Sequence, residues 1–243
     1  MRKYITIFNL LIGLIPINSV AQNINIGGVF PTIDHSGKIN NKADYSLYYF
    51  SAFSLINLKE ENQNPNPNPY YHLLYAEHAL HYNFTNKLII TGSYVYQREN
   101  VLRDNYLNEN RFYTQIKYKQ GFKKISFTHR LRFDGRFVEN RITKKAPFTH
   151  RLRYLIGLDY PIRENLYFTA YEEPFFNTST ISNPVYNENW AYCAFGSRVN
   201  AKNKLEIGLL FVTWNIGNKK WFNQYYLQMT WINQIDLTKK DNK

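Results

Sequence analysis

The chain lacks, or has few of, several residue types and motifs, and each absence excludes a class of protein or of functional site. It contains 243 residues but a single cysteine, Cys193, which excludes an internal disulfide and a cysteine-rich zinc site. After residue 21 it has no run of about 18 apolar residues, which excludes a helical membrane anchor in that part. It also lacks the G-x-S-x-G pattern of many hydrolases and the phosphate-binding loop of nucleotide enzymes. No catalytic or cofactor-binding motif is therefore predicted.

Aromatic residues and basic charge are the two excesses. Tyrosine (21), phenylalanine (17) and tryptophan (4) make up 17% of the chain. These residues favour β-strands, and Tyr and Trp are enriched at membrane–water boundaries. Lysine and arginine outnumber the acidic residues by 30 to 18, which gives a formal net charge of +12. This balance suggests nucleic acid, acidic lipid headgroups or anionic solutes as partners, and the position of the charges decides among them.

The first 21 residues have the composition of a cleaved signal peptide. Arg2 and Lys3 form a basic region, residues 5–15 form an apolar region, and Ser19-Val20-Ala21 supplies small residues for cleavage after Ala21. Removal of residues 1–21, which carry two positive charges and no acidic residue, leaves a net charge of +10. The alternative, a short buried helix in a cytosolic domain, does not account for this order of regions. We therefore predict export.

The remaining chain alternates apolar and polar residues with the period of β-strands. None of its long segments shows the 3.6-residue period of an amphipathic helix. A tilted strand crosses a bilayer with about 9–11 residues, whereas strands of soluble proteins usually have about 5–6. The length of the segments therefore favours a transmembrane barrel over a soluble periplasmic β-protein. Ten strands are predicted, at about 44–58, 70–83, 87–99, 109–120, 124–138, 147–161, 165–175, 188–200, 203–215 and 221–233.

The connections alternate between short turns and longer links, as periplasmic turns and extracellular loops do in bacterial barrels. We predict an all-β fold, a transmembrane antiparallel up-and-down β-barrel over residues 44–233, with ten strands located and ten to twelve expected. Residues 22–43 form either an additional strand or a segment in the lumen, and residues 234–243 form a polar tail. The short turns are 83–86, 120–123, 162–165 and 200–203, and the longer links are 59–69, 100–108, 139–146 and 176–187.

Charged residues lie on one face of the predicted strands, most clearly in 125–138 and 148–160, where the opposite face is mainly apolar and aromatic. An arginine that faces lipid at mid-bilayer costs about 2–4 kcal/mol, so these side chains are predicted to face the lumen. The predicted basic lumen cluster is Lys117, Arg130, Arg132, Arg136, Arg151, Arg153 and Arg198. The predicted acidic lumen partners are Glu77, Glu99, Asp134, Asp159 and Glu173.

The hexapeptide FTHRLR occurs twice, at 127–132 and 148–153. If the 139–146 link closes a hairpin, Arg132 lies opposite Arg153, and Asp134 lies opposite Arg151. The second pair can form an ion pair across the two strands. The first pair needs a carboxylate from another strand. The candidates are Glu77, Glu99 and Glu173, which strand alternation places on the lumen face.

Four motifs of the predicted strands form a familiar pattern. They are His129-Arg130-Leu131-Arg132 with Arg136, His150-Arg151-Leu152-Arg153-Tyr154, Tyr171-Glu172-Glu173-Pro174-Phe175-Phe176-Asn177, and Trp190–Val199 followed by Leu205-Glu206-Ile207-Gly208. In these motifs the chain resembles an uncharacterised outer-membrane barrel family, domain of unknown function 2490. The resemblance implies an outer-membrane barrel of unknown activity and supplies no catalytic residues. At Trp190 the lumen pattern predicts a polar or basic residue instead.

Three functions are compatible with this pattern. The favoured one is a scaffold or accessory subunit in which arginines and carboxylates fill a narrow, arginine-lined lumen, since barrels of about eight strands are filled by their own side chains. A small anion-selective pore is the alternative. A lipid-modifying enzyme is less favoured, because His129 and His150 are predicted to lie roughly 20 Å apart on the lipid face and form no dyad. His72, His78 and His81 have the wrong spacing for a metal site, so neither an enzyme nor a metal centre is expected.

Location and partners follow from the same pattern. An exported barrel with inward-facing arginines is predicted in the outer membrane of a Gram-negative bacterium. Its expected partners are outer-membrane lipid, other outer-membrane proteins that contact the extracellular loops, and small anions if the lumen is open. Nucleic acid is excluded, because the arginines face inward and the chain is exported.

Overall fold

The computed structural model describes residues 24–58, 66–179, 185–217 and 220–238. The predicted signal peptide, residues 1–21, lies outside these ranges, and so do residues 239–243 of the predicted tail. Across the described ranges, no helix has the length and apolar character needed to span a membrane.

The described residues form eleven long strands, and the alternation of apolar and polar residues predicts each strand from β2 to β11. Each strand has between 12 and 18 residues. The strands are β1 (Ile24–Lys38), β2 (Ala43–Leu58), β3 (Asn66–Asn83), β4 (Leu88–Glu99), β5 (Leu107–Phe122), β6 (Ile125–Val138), β7 (Phe148–Pro161), β8 (Leu166–Asn177), β9 (Tyr186–Arg198), β10 (Asn203–Gly217) and β11 (Lys220–Asp236).

The predicted barrel is confirmed, and the ten predicted strands correspond to β2–β11. Most strand ends differ from the prediction by one or two residues. The largest differences are at β3, which begins at Asn66 instead of residue 70, and at β11, which ends at Asp236 instead of residue 233. Proline fits the beginning of β3 because the first residues of a strand need not donate to the ladder. The polar tail therefore begins inside the last strand.

β1 is the eleventh strand and occupies the segment that the sequence left open. The strands follow one another around a closed barrel, and every neighbouring pair is antiparallel except β1 and β11. An odd number of strands that alternate in direction places the first and last strands parallel, so the parallel pair follows from the count. β1 therefore begins where the longer links lie and ends at Lys38, beside Asp236 of β11.

The two ends of the barrel differ in the connections they carry. We call one the short-turn end, which holds the links 39–42, 84–87, 123–124, 162–165 and 199–202. At the opposite end, called the long-link end, β2, β4, β6 and β8 end, and 7 to 9 residues separate each from the strand that follows it. β10 also ends there, but only two residues separate Gly217 from Lys220 of β11. The predicted alternation of short turns and longer links therefore holds for the connections up to β10, and the last connection departs from it.

β1 pairs irregularly with β2. A register shift separates Gly27 from Gly28, and any side chain at Gly28 would place its Cβ 1.9 Å from the carbonyl oxygen of Phe53. Pro31 has no N–H to donate, and the β1–β2 register is interrupted at this residue. Side-chain packing therefore contributes to holding β1: the ring of Phe30 stacks on Phe50 with centroids 4.4 Å apart.

Both faces of the barrel wall carry apolar side chains, but only the inner face is buried. Inward residues of β1–β5 and β9–β11 form an apolar and aromatic cluster that fills one side of the lumen. The outward face exposes large apolar side chains all around, for example Phe112 (57%), Phe195 (59%) and Leu209 (64%). The buried cluster is Ile26, Phe30, Phe50, Ala52, Tyr75, Val95, Tyr113, Tyr192, Ala194, Leu210, Val212 and Tyr226.

Candidate functional site in the barrel lumen

β6 and β7 pair in the register that the repeated hexapeptide predicts. Arg132 lies opposite Arg153, and Asp134 lies opposite Arg151. Arg151 Nε donates to Asp134 Oδ2 at 3.1 Å, and Arg153 Nη1 lies 3.8 Å from the same oxygen. Asp134 is completely buried, so this carboxylate serves two arginines in the interior of the barrel.

Glu173 of β8 joins two further arginines. Arg153 donates to both carboxylate oxygens, at 2.9 Å from Nε and 2.8 Å from Nη2. Arg130 Nη2 lies 2.7 Å from Glu173 Oε1. The Glu173 side chain is only 2% exposed, and a buried carboxylate with charged partners on both oxygens gains strong charge-assisted hydrogen bonds.

Glu77 of β3 reaches Arg132 across the lumen. Arg132 Nη1 lies 3.4 Å from Glu77 Oε2, and the hydroxyls of Tyr75 and Tyr113 donate to Glu77 at 2.6 and 2.5 Å. Arg132 also donates to Gln115 at 2.9 Å. Two of the three carboxylates considered for the Arg132–Arg153 pair, Glu77 and Glu173, are therefore the ones in contact with it.

Glu109 of β5 is a buried partner that the sequence analysis missed. Its Oε1 accepts from Arg111 at 2.7 Å and from Arg136 at 2.8 Å, and Arg136 also donates to Oε2 at 2.7 Å. Arg111 and Arg136 lie directly opposite each other on β5 and β6. Glu109 could have been predicted to face the lumen, because Glu109 and Arg111 lie on the same face of the strand as Lys117, which was predicted to do so.

Glu188 of β9 is the other missed carboxylate. Arg151 Nη1 donates to it at 2.9 Å, and the indole of Trp190 donates to its second oxygen at 2.6 Å. Trp190 stands where a polar or basic residue was predicted. Instead its ring lies between the charged network and the aromatic cluster, with centroids 6.0 Å from both Phe175 and Phe50.

The charges in the buried network nearly cancel. Six guanidinium groups meet five carboxylates, which leaves a net charge of about +1. Removing one partner from such a network leaves an uncompensated buried charge, which is strongly unfavourable. The members are Arg111, Arg130, Arg132, Arg136, Arg151 and Arg153, with Glu77, Glu109, Asp134, Glu173 and Glu188.

Four predicted lumen residues lie outside this network. Glu99 pairs with Arg141 of the 139–147 link at 3.0 Å. Arg198 is exposed at the end of β9 and does not line the lumen cavity. Lys117 and Asp159 line the cavity, but neither belongs to an ion pair among the described residues.

The network and the aromatic cluster meet at Phe175 of β8. The guanidinium carbons of Arg151 and Arg153 lie 4.6 and 4.0 Å from the centre of its ring. Cation–π contacts of this kind are stronger when water is excluded. A cavity of about 710 Å³ lies between the charged network and the aromatic cluster. Its lining runs from Lys38 at the short-turn end to Glu99 at the long-link end.

The histidines considered for catalysis lie on the outward face and bind separate partners. His129 contacts the hydroxyl of Tyr154 at 2.8 Å, and His150 contacts Thr178 at 2.7 Å. His129 lies opposite Ile156, six residues along β7 from His150. Among the described residues, no group of three or more His, Cys, Asp or Glu side chains is placed to hold a metal ion.

Comparison with known proteins gives one match. The family described as a protein of unknown function (DUF2490) matches residues 36–223. No curated protein matches the chain, and no solved structure matches it. The matched range includes β2–β10 entirely and therefore the whole charged network.

Proposed function

Because the chain belongs to the DUF2490 family and folds as a closed β-barrel, we propose that it is an outer-membrane protein that acts as a scaffold or accessory subunit. The observation that carries this proposal is the largely self-filled lumen, where a nearly neutral ion-pair network packs against an aromatic cluster and leaves a cavity of about 710 Å³. The proposal assigns no enzymatic activity to the chain, and places its partners at the outward face and the links.

The height of the apolar outward band supports a membrane location. On β11 the outward residues between Asn223 and Asn233 are Tyr225, Leu227, Met229 and Trp231, each exposed by 42–50%. Ten residues at about 3.3 Å per residue, tilted by about 35–45°, span about 25 Å along the barrel axis. This is the height of the lipid-facing band of outer-membrane barrels.

Rows of polar side chains bound the band on this wall. Towards the long-link end, Asn25, Asn223 and Thr213 are neighbours across β1, β11 and β10, and Asn223 donates to Asn25 at 2.9 Å. Towards the short-turn end, Asn233 contacts both His35 and Asn203, at 2.7 and 2.8 Å. Polar groups at both edges of an apolar band match the two interfaces of a bilayer.

Orientation follows from the connections. Bacterial barrels have short periplasmic turns and longer extracellular loops. On this rule the short-turn end, with the end of β11, faces the periplasm, and the long-link end faces outward. The links 100–106 and 139–147 then offer the outside a structured surface, in which Arg98 and Lys144 lie 3.8 and 4.4 Å from the ring centre of Tyr106.

Cys193 provides a test of the membrane location. It is exposed on the outward face of β9, between Ala191 and Phe195. We expect a water-soluble maleimide to leave Cys193 unmodified in isolated outer membranes and to react after denaturation, because a thiol in lipid does not ionise. Rapid labelling of the native protein, together with release by osmotic shock, would show a soluble periplasmic protein instead. A Lys202→Cys/Cys193→Ser variant places the thiol in the exposed turn 199–202 at the short-turn end, as a positive control for reagent access.

Conductance measured in a planar bilayer tests whether the side chains in the lumen block the passage of ions. We expect folded protein, checked by the mobility difference between heated and unheated samples, to give no discrete conductance steps.

A second candidate function, a small anion-selective pore, is supported by the cavity of about 710 Å³ and its net positive lining. Discrete anion-selective steps that lose their selectivity in Arg132→Ala and Arg153→Ala would establish the pore and contradict the scaffold proposal.

A further inference from the structure

On the lumen face of β5 and β6, cations lie directly opposite each other in two places. Like charges opposite each other in a β-ladder repel and destabilise the pair. Arg111 and Arg136 are such a pair, and Lys117 and Arg130 are another. The first pair is bridged, since Glu109 Oε1 accepts from both arginines at 2.7 and 2.8 Å.

No carboxylate of the described residues bridges the second pair. Lys117 takes part in none of their ion pairs, and Arg130 has a single partner, Glu173, which it shares with Arg153. The Nε of Arg130 is buried and has no hydrogen-bond partner within the described ranges. A buried donor without a partner is costly, so this N–H and the ammonium of Lys117 form an incomplete site.

Both side chains face the lumen cavity. Lys117 and Arg130 line it together with Thr128, and Leu155 of β7 lies opposite Arg130 as an apolar wall. The cavity extends to the short-turn end, where Lys38 and Gln234 line it. Its volume of about 710 Å³ lies within the range of small-molecule sites.

From this geometry we infer that the lumen binds a small oxyanion, a phosphate or carboxylate group, between Lys117 and Arg130. The anion takes the place that Glu109 takes between Arg111 and Arg136. Two cations on adjacent strands present several donors to the acceptor oxygens of such a group, and charge-assisted hydrogen bonds of this kind are the strong ones. The ligand enters from the short-turn end. The inference goes beyond the scaffold proposal and does not depend on a membrane location.

Three carboxylates limit the net charge of the ligand. Asp34 of β1, Asp44 of β2 and Asp159 of β7 line the same cavity and form no ion pair among the described residues. They oppose a highly charged anion and are compatible with one phosphate or carboxylate group on a larger neutral body. We therefore expect Asp34→Asn to strengthen the binding of a simple anion.

The test measures binding of inorganic phosphate and of succinate to the folded full chain in nonionic detergent, with sodium chloride holding ionic strength constant. We expect at least one of the two anions to raise the unfolding temperature of the wild type. Lys117→Met and Arg130→Gln should each weaken the affinity by about tenfold or more, the expected loss for a hydrogen bond to a charged group. Lys87→Met, in an exposed turn outside the cavity, serves as the matched control and should bind like the wild type.

A second readout separates a binding role from a structural one. Without added anion, Lys117→Met should unfold at the same temperature as the wild type or higher, because the substitution removes the repulsion from Arg130. The inference is overturned if neither anion binds the wild type, or if Lys117→Met binds as tightly as the wild type. Phosphate-only binding identifies a phosphoryl ligand, and succinate-only binding identifies a carboxylate ligand. A conducting barrel would contradict the scaffold proposal without affecting this result.

Discussion

Glu173→Gln is expected to destabilise the folded barrel by about 3–5 kcal/mol, the cost of removing one partner from a buried ion pair. Glu173 is 2% exposed and accepts from Arg153 on both oxygens, while Arg130 lies 2.7 Å from Oε1. A neutral amide leaves both guanidinium groups without their shared counter-charge. Equilibrium unfolding in urea, with the protein in detergent micelles, measures the change in free energy.

Two further variants make this expectation specific to the buried charge. Glu164→Gln removes a carboxylate from the exposed turn after β7 and should change the free energy of unfolding by less than about 0.5 kcal/mol. Adding Arg153→Met to Glu173→Gln should restore part of the lost stability, because it removes one uncompensated cation. Equal stabilities of Glu173→Gln and the wild type would show that water reaches the network freely.

Phe30→Ala is expected to destabilise the barrel by about 3–5 kcal/mol, because it leaves a cavity in the aromatic cluster. Phe30 is 1% exposed, stacks on Phe50 at 4.4 Å, and lies 5.4 Å from Tyr226 and 6.1 Å from Trp190 between ring centroids. The ring joins β1 to strands on both sides of the lumen. The same unfolding experiment measures the effect.

The matched control for Phe30 lies three residues further along β1. Ile33 faces outward and is 44% exposed, so Ile33→Ala should have a much smaller effect on the free energy of unfolding. If the two substitutions have equal effects, β1 does not insert its inner face into the lumen. A loss confined to Phe30→Ala establishes β1 as a part of the barrel wall.

The positions of β2–β11 could be predicted because each strand carries a long alternation of apolar and polar residues. Local register could also be predicted where a hairpin joins two similar segments. Arg132 opposes Arg153, and Asp134 opposes Arg151, because a hairpin of two neighbouring strands whose charged faces must match leaves few alternative pairings. Pairing within one hairpin depends only on residues near one another in the sequence.

Contacts across the lumen could not be predicted in the same way. Glu77 and Arg132 belong to strands that are not neighbours, and their contact depends on the strand number and on the stagger of all the strands between them. Glu188 was missed, and a polar or basic residue was predicted at the position of Trp190. The aromatic side of the lumen that Trp190 joins could not be predicted, because it is assembled from strands that are far apart in the sequence.

The sequence alone determined the class of fold, the extent of ten strands and the face on which the arginines lie. These depend on period-two patterning and on the cost of a charge in an apolar environment, which are both local properties. The tertiary structure decided that an eleventh strand closes the barrel parallel to the last one. It also decided that Glu109 bridges one opposed pair of cations, while no carboxylate in the described part of the chain bridges Lys117 and Arg130. Closure fixes these features, because only a closed ring of strands brings distant side chains to the same level inside the lumen.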